Sequence, residues 1–329
     1  MTRREISTLI FDSDIIREWH WFKFHFYQGL TGAEHPLATS IIDALLKIER
    51  KTPGYAGQFI NRLAAISGRE MDLNHYQQLL QSLSELYVLC RVVEYFADSD
   101  YLLEHEPTVA GSGRNPEFQV VCEDVTFGVE VKAPSLLSHI RERGRNSIQL
   151  STRVPNLRET TEHMGTGTVT SPRDNPVKDF LLSANAKFEG FKRQNPDYVS
   201  LLFINWDDYI YEPVSALLGN PSGLLREGSF ARDSDGNRIT YPNLDLIVLD
   251  RHLANIINAT KGEPLNDFKT HAMDYGQASD FPPKAAIQCP DSETVVAEIV
   301  PQCFQLKPIE ECIGAEYGTS DMIFWLNGN

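Results

Sequence analysis

The 329-residue sequence predicts an α/β protein with a helical N-terminal region, on three observations. Apolar residues recur at a helical spacing through the first part of the chain. After residue 100 the spacing changes to two. Strand-like runs then alternate with a helical run, as in a sheet covered by helices. At 42% hydrophobic and 23% charged residues, the chain has an ordinary globular composition and enough length for a sizeable core.

Each element has its own reason. From Pro36 to Arg50, Leu37, Ile41, Ala44, Leu45 and Ile48 line one helical face, and Thr52-Pro53-Gly54 stops the run. Tyr55 to Ile66 repeats the pattern with Phe59, Ile60, Leu63 and Ile66, and Gly68 follows its end. Asp72 is an N-cap for a long helix through Leu79, Leu83, Leu86, Leu89, Val93 and Phe96. Tyr101 to Glu106 reads as a short strand. Glu117 to Cys122 and Val125 to Lys132 read as a hairpin turning at Glu123-Asp124. Residues 151–176, rich in Thr, Ser, Gly, Pro and Asn, read as a long loop. Val177 to Arg193 returns to helix. Tyr198 to Asn205 is apolar enough for a buried parallel strand, and Leu244 to Leu249 is a further buried-strand candidate. The last 80 residues are acidic, Pro-punctuated and carry no clear period.

Several function classes are excluded early. No apolar run reaches the 18 or so residues of a membrane span. Near the N-terminus, Leu9-Ile10-Phe11 is broken by Asp12 and Asp14 too soon for a secretory signal. Five scattered cysteines with no Cys-x-x-Cys pair argue against a disulfide framework or zinc ribbon, and the expected compartment is a reducing cytoplasm. Gly111-Ser112-Gly113 lacks the Lys-Ser/Thr of a phosphate-binding loop, and no Gly-x-Ser-x-Gly or His-Glu-x-x-His is present. His20 and His25 lie in an aromatic block, Trp19 to Tyr27, read as core segment or partner surface. Asp207-Asp208 reads as a turn, with contact to a second metal as the alternative.

The net charge of −15 argues against non-specific coating of nucleic acid, but it is unevenly spread. Residues 1–131 hold 11 Lys/Arg against 19 Asp/Glu, a balance of −8; residues 194–329 hold 8 against 20, a balance of −12. Residues 132–193 hold 11 against 6, a balance of +5.

The chemistry-bearing segment is Pro116-Glu117-Phe118 followed by Val129-Glu130-Val131-Lys132. On a strand, residues two apart share a face, so Glu130 and Lys132 project together while Val129 and Val131 face the core. The hairpin brings Glu117 beside Glu130. Two carboxylates and a lysine then converge, which suits metal-assisted phosphodiester hydrolysis. A hard divalent cation takes oxygen ligands and lowers the pKa of bound water, and a lysine orients that water or stabilises the developing charge. With 45 acidic residues and 11 lysines, acid-x-Lys arises about one or two times by composition, and it occurs three times. Glu49-Arg50-Lys51 and Asp267-Phe268-Lys269 lie outside any β-periodic run. Only Glu130-Val131-Lys132 is embedded in one, with Pro-acid upstream.

At these residues the sequence resembles the PD-(D/E)XK nuclease superfamily. The resemblance covers roughly residues 80–210. Its order of helix with glutamate, strand, Pro-acid strand, acid-x-Lys strand, helix and strand is matched by Ser84-Glu85-Leu86-Tyr87, Tyr101 to Glu106, Pro116-Glu117-Phe118, Val129 to Lys132, residues 177–193 and Tyr198 to Asn205. It implies a restriction-endonuclease-like core with a mixed central sheet flanked by helices. It also implies Glu85, Glu117, Glu130 and the Val131 carbonyl as ligands of magnesium, with manganese as substitute, and Lys132 as the catalytic lysine. Glu117 departs from the family's commoner aspartate and sets the carboxylate one methylene further back. Lys187 matches a place where members carry a polar active-site residue; the alternative is an ordinary helix lysine. The expected organisation is a helical region over 1–80, a nuclease-like core over 81–250 and a C-terminal extension over 251–329.

Arg141, Arg143, Arg145, Lys178, Lys187, Lys192 and Arg193 follow the metal strand and are expected to contact a nucleic-acid backbone. Arg153, Arg158 and Arg173 belong to the same basic stretch. The resemblance implies a metal-dependent nuclease acting on DNA in preference to RNA, in bacterial restriction, repair or defence against mobile DNA. It also implies action as a homodimer or beside a partner subunit that supplies specificity. Two other readings stand beside it: a catalytically inactive nucleic-acid-binding scaffold of the same fold, and an interaction module built on residues 1–80.

Overall fold

Three adjacent strands with apolar residues on both faces set the architecture, because each must be covered by helices on both sides. In the computed structural model, which describes residues 1–27, 34–66, 72–109, 113–122, 125–153, 169–312, 317 and 324–326, these are β3 (Val125–Lys132), β6 (Val199–Asn205) and β7 (Leu246–Asp250). Every residue of β6 and β7 is buried. With β1 (Leu102–His105), β2 (Phe118–Cys122), β8 (Lys284–Gln288) and β9 (Leu306–Pro308) they form one seven-stranded sheet, ordered β1-β2-β3-β6-β7-β8-β9. It is mixed: β1-β2-β3 is an antiparallel meander, β3-β6-β7 is parallel, and β8 runs antiparallel to β7 and parallel to β9. A small sheet joins β4 (Ile148–Leu150), β5 (Val169–Thr170) and β10 (Phe324–Leu326).

Side-chain alternation sends each strand's residues into two hydrophobic layers. Val129, Val131, Leu201, Phe203 and Val248 pack against α4 (Pro36–Lys51), α5 (Tyr55–Ala65) and α6 (Leu73–Tyr95), with α10 (Leu253–Lys261) and α11 (Ile299–Phe304). Leu202, Ile204, Ile247 and Leu249 face the other way, toward α8 (Asp174–Gln194) and α9 (Tyr211–Leu218). The shorter helices α1 (Arg3–Asp12), α2 (Asp14–Arg17) and α3 (Lys23–Tyr27) close over α4 and α5, and α7 (Leu137–Arg143) follows β3. Among the described residues this makes an α/β chain of 11 helices around the mixed sheet, and none of these helices is long and apolar enough to cross a membrane.

Local chemistry accounts for the long helix α6. Asp72 caps it, its Oδ1 accepting from the backbone N–H groups of Asn74 (2.9 Å) and His75 (3.2 Å). Thirteen of its residues are buried, so it is a central element rather than a surface helix. On β3, Gly128 is required by a close approach: a Cβ there would lie 1.9 Å from the Tyr198 hydroxyl and 3.1 Å from Phe188.

Several expected boundaries shift. The helix expected from Val177 begins at Asp174, because the segment before it forms β5 and a turn, and Glu117 lies one residue ahead of β2. Of the expected loop 151–176, residues 154–168 lie outside the described residues, Arg158 among them; so do Gly68, Gly111, Ser112, Glu123 and Asp124. Residues 251–329, read as an extension without clear elements, contribute α10, β8, α11 and β9, two of them strands of the main sheet. Helices α1–α6 share one core with the sheet. The aromatic block divides: Phe22 and Phe26 are buried in that core, while Trp19 and Phe24 are exposed. His20 and His25 bond the Leu63 and Thr260 carbonyls, each at 2.8 Å.

Candidate functional site

The site begins with the β2–β3 register. Phe118 pairs with Val129, so Glu117, one residue earlier, stands opposite Glu130. The ladder reaches Glu117, whose N–H donates to the Val129 carbonyl at 3.0 Å, and Pro116 has no N–H with which to extend it. Gln81 on α6 takes over the strand edge from there. Its Nε2 donates to the Val131 carbonyl at 2.7 Å and to Glu85 Oε1 at 3.0 Å, and its Oε1 accepts from Ala133 N–H at 2.9 Å. One turn earlier, Gln77 Nε2 donates to the Pro134 carbonyl at 2.7 Å and Gln77 Oε1 accepts from Leu136 N–H at 3.2 Å. The two glutamines thus lock α6 to the segment that leaves β3.

Three carboxylates and three cations gather around this edge. Glu130 is fully buried; Lys132 Nζ lies 2.6 Å from its Oε1, and Lys187 Nζ, reaching across from α8, lies 2.8 Å from it. Lys187 is also 3.6 Å from Glu117 Oε1. On the α6 side, Arg62 Nη1 of α5 lies 2.9 Å from Glu85 Oε2. Glu85 Oε2 and Glu130 Oε1 are buried and accept no hydrogen bond, so Arg62 and Lys132 meet them as ion pairs without hydrogen-bond geometry, while Lys187 donates to the other Glu130 oxygen, Oε2, at 2.8 Å.

The electrostatics follow from crowding like charges under cover. Burial, then the neighbouring Glu85 and Glu130 charges, push the Glu117 carboxyl up to about 8, against the pull of Lys187 and Lys132. Burial likewise raises Glu85; Arg62 and the Gln81 hydrogen bond oppose this, and Glu130 adds to it. Burial pulls Lys187 down, but Glu130 and Glu117 outweigh it and raise its pKa.

The structure therefore brings Glu85, Glu117, Glu130, Lys132 and Lys187 together. The Val131 carbonyl, expected as a metal ligand, is at the same spot but already accepts from Gln81. Among the described residues no three His, Cys, Asp or Glu side chains form a ready metal set. Glu94, the other acid of α6, lies elsewhere, 2.5 Å from Lys47.

The basic stretch divides. Arg141 and Arg145 are exposed, and Arg193 is exposed beside Glu189 at 2.6 Å. Lys178 is half-buried, 3.5 Å from Asp179. Arg143 stacks 3.5 Å above the Tyr209 ring. Lys192, expected at the nucleic-acid backbone, is half-buried and donates to both Asp245 oxygens, at 2.7 and 2.6 Å, and to Thr294 at 2.7 Å. Its helix face turns toward the β6–β7 junction, so the charge is spent on neutralising a buried aspartate. Arg173 and Arg153 are likewise consumed. Arg173 forks onto Asp207 at 2.9 and 2.8 Å and reaches Glu212 at 2.7 Å; Arg153 pairs with Asp174 at 2.7 and 2.9 Å. Asp207 is thereby a partner of Arg173, with its Oδ1 also accepting from Tyr209 N–H at 3.0 Å.

Sequence reasoning missed Gln81 and Arg62. Gln77, Gln81 and Glu85 recur every fourth residue along an apolar helix, a polar stripe that marks one face and was readable. Arg62 had no such signal, being one polar position on an amphipathic helix distant in the chain. The chain matches no protein-family model, no curated protein and no solved structure.

Proposed function

We propose that this protein is a metal-dependent nuclease, hydrolysing phosphodiester bonds in DNA in preference to RNA. The observation that carries the reading is the convergence of Glu85, Glu117, Glu130 and Lys132, from a helix and two strands, on one buried strand edge. The donor chemistry suits a hard divalent cation: it offers carboxylate oxygens, two of them buried without a hydrogen bond, whose mutual repulsion favours added positive charge. In this arrangement, however, Arg62, Lys132 and Lys187 supply that charge, and the three carboxylates are not gathered into a ready set. Glu117, Glu130 and Glu85 would hold magnesium or manganese, which when bound supplies an activated water and neutralises phosphate charge. Lys132, fixed by Glu130, is placed to orient that water or to stabilise negative charge developing on the phosphate. Lys187 presents a second ammonium from the opposite layer, and Arg141 and Arg145 offer exposed cations beyond the strand for the flanking backbone.

A second reading, a nucleic-acid-binding scaffold that does no chemistry, is favoured by the lysines and arginine that already meet each carboxylate. One experiment separates the two. Purified protein is incubated with plasmid, linear and single-stranded DNA and with RNA, in magnesium, manganese or EDTA, beside Glu130→Ala and Lys132→Ala. Cleavage that needs the metal and disappears in both variants supports the nuclease. Binding without cleavage, unchanged in the variants, supports the scaffold and sinks the nuclease reading.

A further inference from the structure

We infer that Arg62, on α5 of the N-terminal helical layer, binds a phosphate of the nucleic-acid substrate, held in reserve by its pairing with Glu85. The inference rests on the nuclease reading above and adds to it a residue from outside the segment that carries the chemistry. Arg62 Nη1 lies 2.9 Å from Glu85 Oε2 at the edge of the carboxylate cluster. The Arg62 side chain keeps 32% of its surface exposed while Glu85 keeps 11%, so Arg62 is the more exposed member of the pair. The pair is a single-point contact: Glu85 Oε2 accepts no hydrogen bond, and Glu85 Oε1 is served by Gln81 at 3.0 Å. Apart from the face of the Phe59 ring, 5.4 Å away, no other hydrogen bond or ion pair of Arg62 is seen among the described residues, although Tyr55 and His105 lie within its electrostatic reach. Most of a five-donor fork is thus uncommitted, and that fork matches a phosphate in bidentate fashion.

The pairing also explains how Arg62 is released. If Glu85 engaged a divalent cation, it would no longer hold Arg62 by charge, and the guanidinium would be free to meet a phosphate. The competing explanation is that Arg62 only neutralises a buried carboxylate, which predicts a stability role and no contact with substrate.

The test is binding of a short labelled DNA duplex by fluorescence anisotropy, over a range of KCl concentrations, with calcium or with EDTA. One lost phosphate contact lowers the slope of log affinity against log salt by about 0.9. Arg62→Gln is expected to show that reduction in calcium and no change in EDTA. Arg62→Lys keeps the charge and the pairing with Glu85, and therefore the fold; it is expected to keep the slope and bind several-fold more weakly in calcium. Wild-type slope and affinity in both variants would overturn the proposal and leave Arg62 a neutraliser. Absence of salt-dependent binding by the wild type would instead bring down the nucleic-acid reading, and the proposal with it.

Discussion

Replacing Glu117 by Gln is expected to stabilise the protein at alkaline pH. The Glu117 carboxyl is pushed from the ordinary 4.5 to about 8 by burial and by Glu85 and Glu130. The folded state therefore holds a proton that the unfolded chain has released, and stability falls as pH rises from about 4.5 toward 8. For an isolated group this amounts to roughly 4 kcal/mol of lost stability at pH 8 and about 1 kcal/mol at pH 5. Lys187 and Lys132 lose a partner in the variant, which offsets part of the gain, so the expected net effect is about 2 kcal/mol at pH 8, shrinking toward pH 5. Urea denaturation of both proteins at half-unit pH steps measures it directly. Magnesium titrated into the same assay should raise the wild-type midpoint more than the variant's, because the ion relieves the repulsion the substitution has already removed. Equal midpoints across the pH range, or a gain in the variant over the wild type that is smaller at pH 8 than at pH 5, would refute the reasoning.

Three other perturbations have definite expected outcomes. Gly128→Ala drives a methyl into the Tyr198 hydroxyl and Phe188, and should cost ~1–3 kcal/mol in chemical denaturation. Gln81→Leu removes the partner of the Val131 carbonyl and the Ala133 N–H, and should cost about 1–3 kcal/mol in the same assay. Lys192→Ala leaves Asp245 buried without its cation; its thermal midpoint should fall while salt-dependent DNA affinity stays at the wild-type value, whereas the double variant Arg141→Ala/Arg145→Ala should lose affinity and keep its midpoint.

The chain's pattern carried much of the framework. Period-two runs placed β2 and β3 as a hairpin, and the Glu130-Val131-Lys132 alternation put both polar side chains on one face with Val129 and Val131 in the core. Asp72 marked the start of α6. These are local properties, set by the pitch of a helix or the pleat of a strand within a few residues. The C-terminal strands were not legible: Lys284–Gln288 and Leu306–Pro308 are short, and they are strands because β7 supplies a partner for one and that one supplies a partner for the other.

By itself, then, the sequence determined the α/β class, the start of α6, the antiparallel pairing of β2 with β3, and the pairing of acid with lysine on β3. Only the tertiary structure decided which of those charges act together. Lys187, Lys192 and Arg173 look alike in a basic stretch, yet Lys187 faces Glu130 while Lys192 pairs with the buried Asp245 and Arg173 with Asp207. Helix rotation and layer packing settle that difference. Arg62 reaches Glu85 because α5 lies against the same core as α6, a juxtaposition no spacing in the chain encodes. Electrostatic partnership depends on distance in space and on burial, and both are fixed only when the layers close.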